Sequence, residues 1–231
     1  MPIARRPVHR HELHSAPRGI RIRVLKAPIL FVNARNTVVG PYDIRIPRGS
    51  TKTDCEVQLA VVIGRQARYL ESGDDAAVHI AGHTVSDHVC GREFQLELSG
   101  GQWSKGKCCE GFNPLGPVLV PAGELTTADL KCAPSRTARS ARIPVPRTSY
   151  AASNTSSGAC PNSRCANRGD GTKTGTPEGV ALCRRFRYLR VGDVVAVEID
   201  GIGRARQVCS GGCPGAEWSL TTTPGRSARQ P

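Results

Sequence analysis

The chain has 231 residues, 39% of them apolar and 4% aromatic, and a formal net charge of +13. That length supports one large domain or two small ones, the apolar share can still supply a core, and no run approaches the ~18 consecutive apolar residues of a membrane span. The charge is not a nucleic-acid face: residues 1–27 and 133–169 each carry net +6, while 28–132 carry −2 and 170–207 carry +2. The two well-patterned blocks therefore sum to zero, whereas a phosphate-binding surface would be built on the folded part. No signal-type apolar stretch follows MPIARRPVHRHELHSAPRG, so the expectation is a cytoplasmic protein with no nucleic-acid and no membrane partner.

In chain order, 1–27 has no strand or helix period and is expected to be an irregular basic segment. VLKAPILFVNA is strand-like. GPYDIRIPRGS is a short strand between turns, and CEVQLAVVIGR is a longer strand whose run from Leu59 to Ile63 is purely apolar. ESGDDAAVHIAG predicts a short helix capped at Ser72 or Asp74 and stopped at Gly82. HTVSDHVCGREFQLE is extended or turn-like, and GPVLVPAGEL is a further strand. Residues 133–169 contain no acid and no period, and their Arg, Ser, Pro and Cys enrichment is that of a GC-rich gene read out of frame. GDGTKTGTPEGVAL is a Gly/Thr-rich loop, and DVVAVEIDGIG alternates at period two before a turn at Asp200-Gly201. Residues 208–231 are expected to be an irregular tail. The fold class is mixed α/β, mostly β, with short helices.

Ten cysteines suggest metal or disulfides first. Cys160/Cys165 and Cys209/Cys213 are spaced more widely than the paired knuckles of a structural zinc site, and no signal segment points to an oxidising compartment. They are read as scattered reduced thiols. Glu56 and Gln58 are more telling. They lie two apart at the mouth of a strand, on one face, where a buried strand would not otherwise carry two long polar side chains.

TDCEVQLAVVIGRQARYL, IAGHTVSDHVCGREFQLE, GGQWSKGKCCEGFNPLGPVLV, TGTPEGVAL and GDVVAVEIDGIG occur in that order, and together they resemble the fumarylacetoacetate hydrolase family. The resemblance covers most of 28–132 and 170–207. It implies a catalytic domain over 28–207 folded as a β-sandwich roll, usually a homodimer, acting on a small-molecule 2-oxo or β-diketo acid. Cleavage of a C–C bond in such an acid is the reaction it implies first. Isomerisation, decarboxylation or another lyase reaction is the alternative, as is a degenerate member with an impaired metal site.

Family members resembling this chain hold Mg2+ or Mn2+ through a Glu-x-Glu pair and a later Asp, oxygen ligands that suit a hard cation. By position, Glu56 matches the first ligand, Gln58 replaces the second Glu, and His88, preceded by Asp87, falls where the Asp is expected. Arg92 and Gln95 match site-lining positions, with the Arg92 fork suited to a substrate carboxylate. Lys107 matches a lysine that stabilises charge on a leaving enolate, and Thr176 matches a threonine that contacts substrate. His9 and Glu12 have the H-x-x-E spacing of a family water-activating pair, although the signature around them is missing.

Overall fold

A computed structural model describes residues 3–6, 29–70, 73–98, 100–127, 130–136, 139–140, 143–144, 166–173, 180–181 and 186–212. Two six-stranded sheets dominate them. In the first, Val57–Ile63 is central. It pairs antiparallel with Ile80–Asp87 on one side and with Gly171–Lys173 on the other, and Val120–Pro121 extends one edge. Ile3–Arg6 runs parallel to Gly171–Lys173 and antiparallel to Ile29–Val32, closing the other edge. In the second sheet, Val194–Ile199 and Gly203–Gly211 form a hairpin. Lys131–Arg136 flanks it on one side and Asp43–Ile46 on the other, with Arg139–Ser140 and Ile143–Pro144 both pairing with Lys131–Arg136.

The sheets bury one cluster that takes Val57, Leu59 and Val85 from the first and Ile44, Val195, Val197, Ile199, Ala205 and Cys209 from the second. This is a β-sandwich. Alternation follows from the strand: Val57 and Leu59 face this core, so Gln58 and Ala60 turn to the other face, where they too are buried. A strand covered on both faces reads as a continuous apolar run, and LAVVI is that run.

Three segments differ from the expectation. Ile3–Arg6 is a strand inside a stretch read as irregular, Lys131–Arg136 runs into another such stretch, 133–169, and Arg139–Ser140 and Ile143–Pro144 lie within it. Gly203–Gly211 also runs into the expected tail. In each case the neighbouring strand decides. Cys132 to Arg136 are laddered against Val195–Ile199, and a well-patterned partner can impose extended backbone on a sequence with little preference of its own. Near Ser72 the helix is confined to Gly73–Ala77, and the chain is already a strand at Ile80, two residues before the expected glycine stop. There Gly82 serves close approach: a Cβ would lie 2.3 Å from the Val120 carbonyl oxygen of the next strand.

Candidate active site

The first sheet delivers Glu56 and Gln58 to the face away from the sandwich core. Gln58 stands opposite Ser86 in the ladder, and the chain continues past Asp87 so that the His88 N–H donates to the Glu56 carbonyl at 2.8 Å. Gln58 Nε2 donates to Glu56 Oε2 at 2.9 Å and lies 3.4 Å from His88 Nδ1. Asp87 stands opposite Val57, on the other face, and its Oδ1 accepts the Glu56 N–H at 3.1 Å. Of the two acid-or-imidazole candidates, His88 joins Glu56 and Gln58, whereas Asp87 is turned to the backbone of the strand that carries them.

A second element brings Arg92, Gln95 and Lys107. The pair Thr53–Asp54 ladders with Cys90–Gly91. A helical turn over Glu93–Glu97, closed by the Leu98 N–H on the Glu93 carbonyl at 2.8 Å, then places Arg92 and Gln95 one turn apart. Arg92 Nη1 donates to Gln95 Oε1 at 2.9 Å, and its Nε and Nη2 both reach Asp54 Oδ2, at 3.1 and 2.8 Å. Nη2 also lies 2.6 Å from Glu56 Oε1. The short helix Trp103–Lys107 packs against this turn through Gly106, where a Cβ would sit 2.5 Å from that of Gln95. Lys107 Nζ is thereby held 3.0 Å from Glu56 Oε2 and donates to the His88 carbonyl at 3.0 Å.

All of these groups are buried: Asp54, Glu56, Asp87, His88, Arg92, Gln95 and Lys107 are each at most 1% exposed. Buried charge persists only when paired, and here two cations meet one carboxylate. Asn33 settles the state of His88. Its Nδ2 donates to the Lys107 carbonyl at 3.0 Å, so its Oδ1 is the acceptor facing His88 Nε2 at 3.1 Å. Nε2 therefore carries the proton, and Nδ1 is a lone pair facing the Gln58 amide. The electrostatics agree: burial first, then Lys107 and Lys173, push the His88 pKa well below its ordinary value, so the imidazole is neutral.

Asp54 and Lys173 were not among the sequence candidates. Asp54 carried a signal, since it continues the period-two polar series Asp54, Glu56, Gln58. Lys173 carried none: in GDGTKTGTPEG it reads as a solvated loop lysine, yet it ends a central strand and is 2% exposed. Thr176, His9 and Glu12 lie outside the described residues.

Residues of this kind invite a metal test. A hard divalent cation needs anionic oxygens. Glu56 is the carboxylate within the Glu56–Gln58–His88 cluster, and its two oxygens face Arg92 and Lys107. Gln58 turns its NH2 group toward Glu56, and His88 offers nitrogen, a softer ligand. Among the described residues no three His, Cys, Asp or Glu side chains are grouped to hold a metal ion. As arranged, this donor set does not fit Mg2+ or Mn2+.

Comparison with known proteins points one way. Residues 7–209 match the family described as fumarylacetoacetate (FAA) hydrolase C-terminal, whose enzymes generally bind a divalent metal. The mitochondrial oxaloacetate tautomerase fahd2 of Xenopus laevis is 36% identical over 191 residues, which are 79% of this chain and 58% of that protein. The chain thus spans under two thirds of that relative's length. Among solved structures, a 2-hydroxyhepta-2,4-diene-1,7-dioate isomerase from Mycobacterium marinum superposes with a TM-score of 0.69 at 25% identity, covering 91% of this chain and 74% of that one. A fumarylacetoacetate hydrolase from Exiguobacterium antarcticum gives 0.68 at 26%, with the same coverages. The two solved structures share the fold found here.

Proposed function

The chain belongs to the fumarylacetoacetate hydrolase family, and on that footing we propose that it is an enzyme of 2-oxo acids that works through the enolate, interconverting keto and enol forms of an oxaloacetate-like acid. The observation that carries this is the setting of Lys107. An ammonium has three donors. Two of those on Lys107 are directed to Glu56 and the His88 carbonyl, which fix it in place and leave one N–H for a substrate oxygen.

When a proton leaves the carbon beside a ketone, negative charge appears on the ketone oxygen. A buried, pre-positioned cation stabilises that charge without reorganising, which is worth roughly a hundred- to a thousand-fold in rate for a single donor. Arg92 holds Glu56 from the far side, through Oε1, so Lys107 stays aligned. The neutral His88 supports the same alignment, because it anchors Asn33, which in turn holds the Lys107 backbone. The 36% identity to an oxaloacetate tautomerase favours tautomerisation.

Hydrolysis of a C–C bond in a β-diketo acid is the second reading, favoured by the likeness to a fumarylacetoacetate hydrolase. It also passes through an enolate, that of the 2-oxo acid fragment released with a carboxylic acid, but it needs an activated water as well. One preparation assayed for enol-to-keto conversion of oxaloacetate and for cleavage of acetylpyruvate separates the two. The expected result is acceleration of the first. Acetylpyruvate cleavage without oxaloacetate conversion would favour the hydrolase, and neither activity in folded protein would overturn both.

A further inference from the structure

Interconverting a ketone and its enol moves one proton between carbon and oxygen. Lys107, fixed by Glu56 and the His88 carbonyl, serves the oxygen, and the carbon needs a group of its own. Lys173 stands opposite Ala60 in the ladder, so its side chain shares the sheet face of Gln58, two residues back along the strand. It is 2% exposed, and among the described residues its Nζ has one hydrogen-bond partner, the neutral Asn113 Oδ1. The charges of Lys107 and Lys173 both bear on the His88 imidazole, and that of Lys107 bears on Lys173, so the two side-chain ends share one neighbourhood. Ser86, opposite Gln58 on the same face, and Asn113 each add a fully buried polar atom, Oγ and Nδ2, with no hydrogen-bond partner among the described residues. Buried polar atoms are normally paired, so this face is built to receive a polar ligand.

Three buried carboxylates and three basic side chains meet around it. Arg92 contacts Asp54 and Glu56, and Lys107 contacts Glu56. The third carboxylate, Asp87, stands opposite Val57 and so belongs to the other face of the sheet. Burial first, and then Lys107, push the Lys173 pKa well below the ordinary 10.5, while Asp87 and Glu56 pull against them. A buried lysine of this kind offers a lone pair. With Lys173 neutral, Asp54, Glu56 and Asp87 face only the two cations Arg92 and Lys107, so a proton arriving on Nζ restores the balance of charge.

We infer that Lys173 is the acid–base group of the reaction, carrying one proton between the carbon and the oxygen of the keto–enol pair. This rests on the enolate reading of the site above. The neutral Nζ takes the proton from the carbon beside the ketone. The C–H electron pair becomes the C=C bond, and the carbonyl π pair moves to the oxygen, where Lys107 meets it. The same proton then passes from Nζ to that oxygen, which regenerates the amine, and the reverse sequence turns enol into ketone. Asn113 Oδ1, by accepting one N–H, aims the amine.

Conversion of oxaloacetate enol to ketone, followed by ultraviolet absorbance, tests this in wild type and in variants of confirmed fold. Lys173→Ala should lower kcat about 100- to 10,000-fold, the usual worth of a positioned acid–base group. Methylamine should restore its rate in proportion to concentration, beyond the effect of the amine in buffer alone, a response that a purely structural lysine would not give. Lys173→Arg keeps a cation and its donors but cannot release a proton, so it should be slow and stay slow with methylamine. Lys173→Met, which fills the space of the lysine, should behave likewise and is the variant to read where Lys173→Ala does not fold. A folded variant that keeps the wild-type kcat, or a folded Lys173→Ala enzyme that methylamine does not restore, would overturn the role of Lys173 alone. Folded wild type that does not accelerate the conversion would overturn the enolate reading and this role with it.

Discussion

Gln58 donates its side-chain amide to Glu56 Oε2 at 2.9 Å, across one step of a strand face. A second carboxylate at that position would have presented an acceptor to an acceptor and required a cation between them. The amide removes that requirement and lets Glu56 pair with Arg92 and Lys107 instead.

Restoring both family acids should restore a metal requirement. Gln58→Glu with His88→Asp places three carboxylates where wild type has one. Without metal the double variant should melt below wild type, because buried like charges are unpaired. Added Mn2+ should raise its Tm by mass action while leaving that of wild type unchanged. Thermal scans with and without Mn2+ check this, and an equal Mn2+ response in wild type would refute the donor-set argument.

Arg92 joins the two elements of the site through Asp54 and Glu56. Arg92→Met leaves two buried carboxylates with fewer partners, and breaking a buried pair in this way costs about 3–5 kcal/mol. Urea unfolding should show a loss of that order. A change under 1 kcal/mol would mean that Asp54 and Glu56 are held by other groups.

Acid should destabilise the fold through its histidines. Burial lowers the pKa of His83 and, together with Lys107 and Lys173, that of His88, from the ordinary 6.5. The folded state then resists protonation while the unfolded state takes up protons as pH falls through 6.5. Stability is therefore fully present above that pH and declines below it, by up to about 1.4 kcal/mol per pH unit for each group. Unfolding of wild type and His83→Gln between pH 8 and about pH 5 should show a shallower decline in the variant. Identical slopes would remove His83 from the account.

Much of this was legible from residue order. The apolar run Leu59 to Ile63 announced a buried strand, which the fold covers on both faces, and the period-two placement of Glu56 and Gln58 announced a polar cluster at its mouth. The helical turn over Glu93–Glu97, which sets Arg92 and Gln95 side by side, was not legible: it lies in a stretch expected to be extended or turn-like. What could not be read was the part that depends on partners distant in sequence. Lys131–Arg136 has no strand period and is extended because Val195–Ile199 lies beside it. Lys173 is buried because two neighbouring strands flank it, which no local pattern around a threonine-rich loop reveals. Arg92 was expected to point its fork at a substrate carboxylate. It is directed to Asp54, Glu56 and Gln95, a consequence of the Asp54–Cys90 pairing.

The central claim is that a fixed Lys107 ammonium stabilises an enolate. The most direct measurement is the rate of enol-to-keto conversion of oxaloacetate, followed by ultraviolet absorbance, with wild type and with Lys107→Met of matched thermal stability. The account predicts acceleration over buffer by wild type, and a kcat about 100- to 1,000-fold lower in the variant with a smaller change in KM. A Lys107→Met enzyme that keeps the wild-type kcat would contradict it.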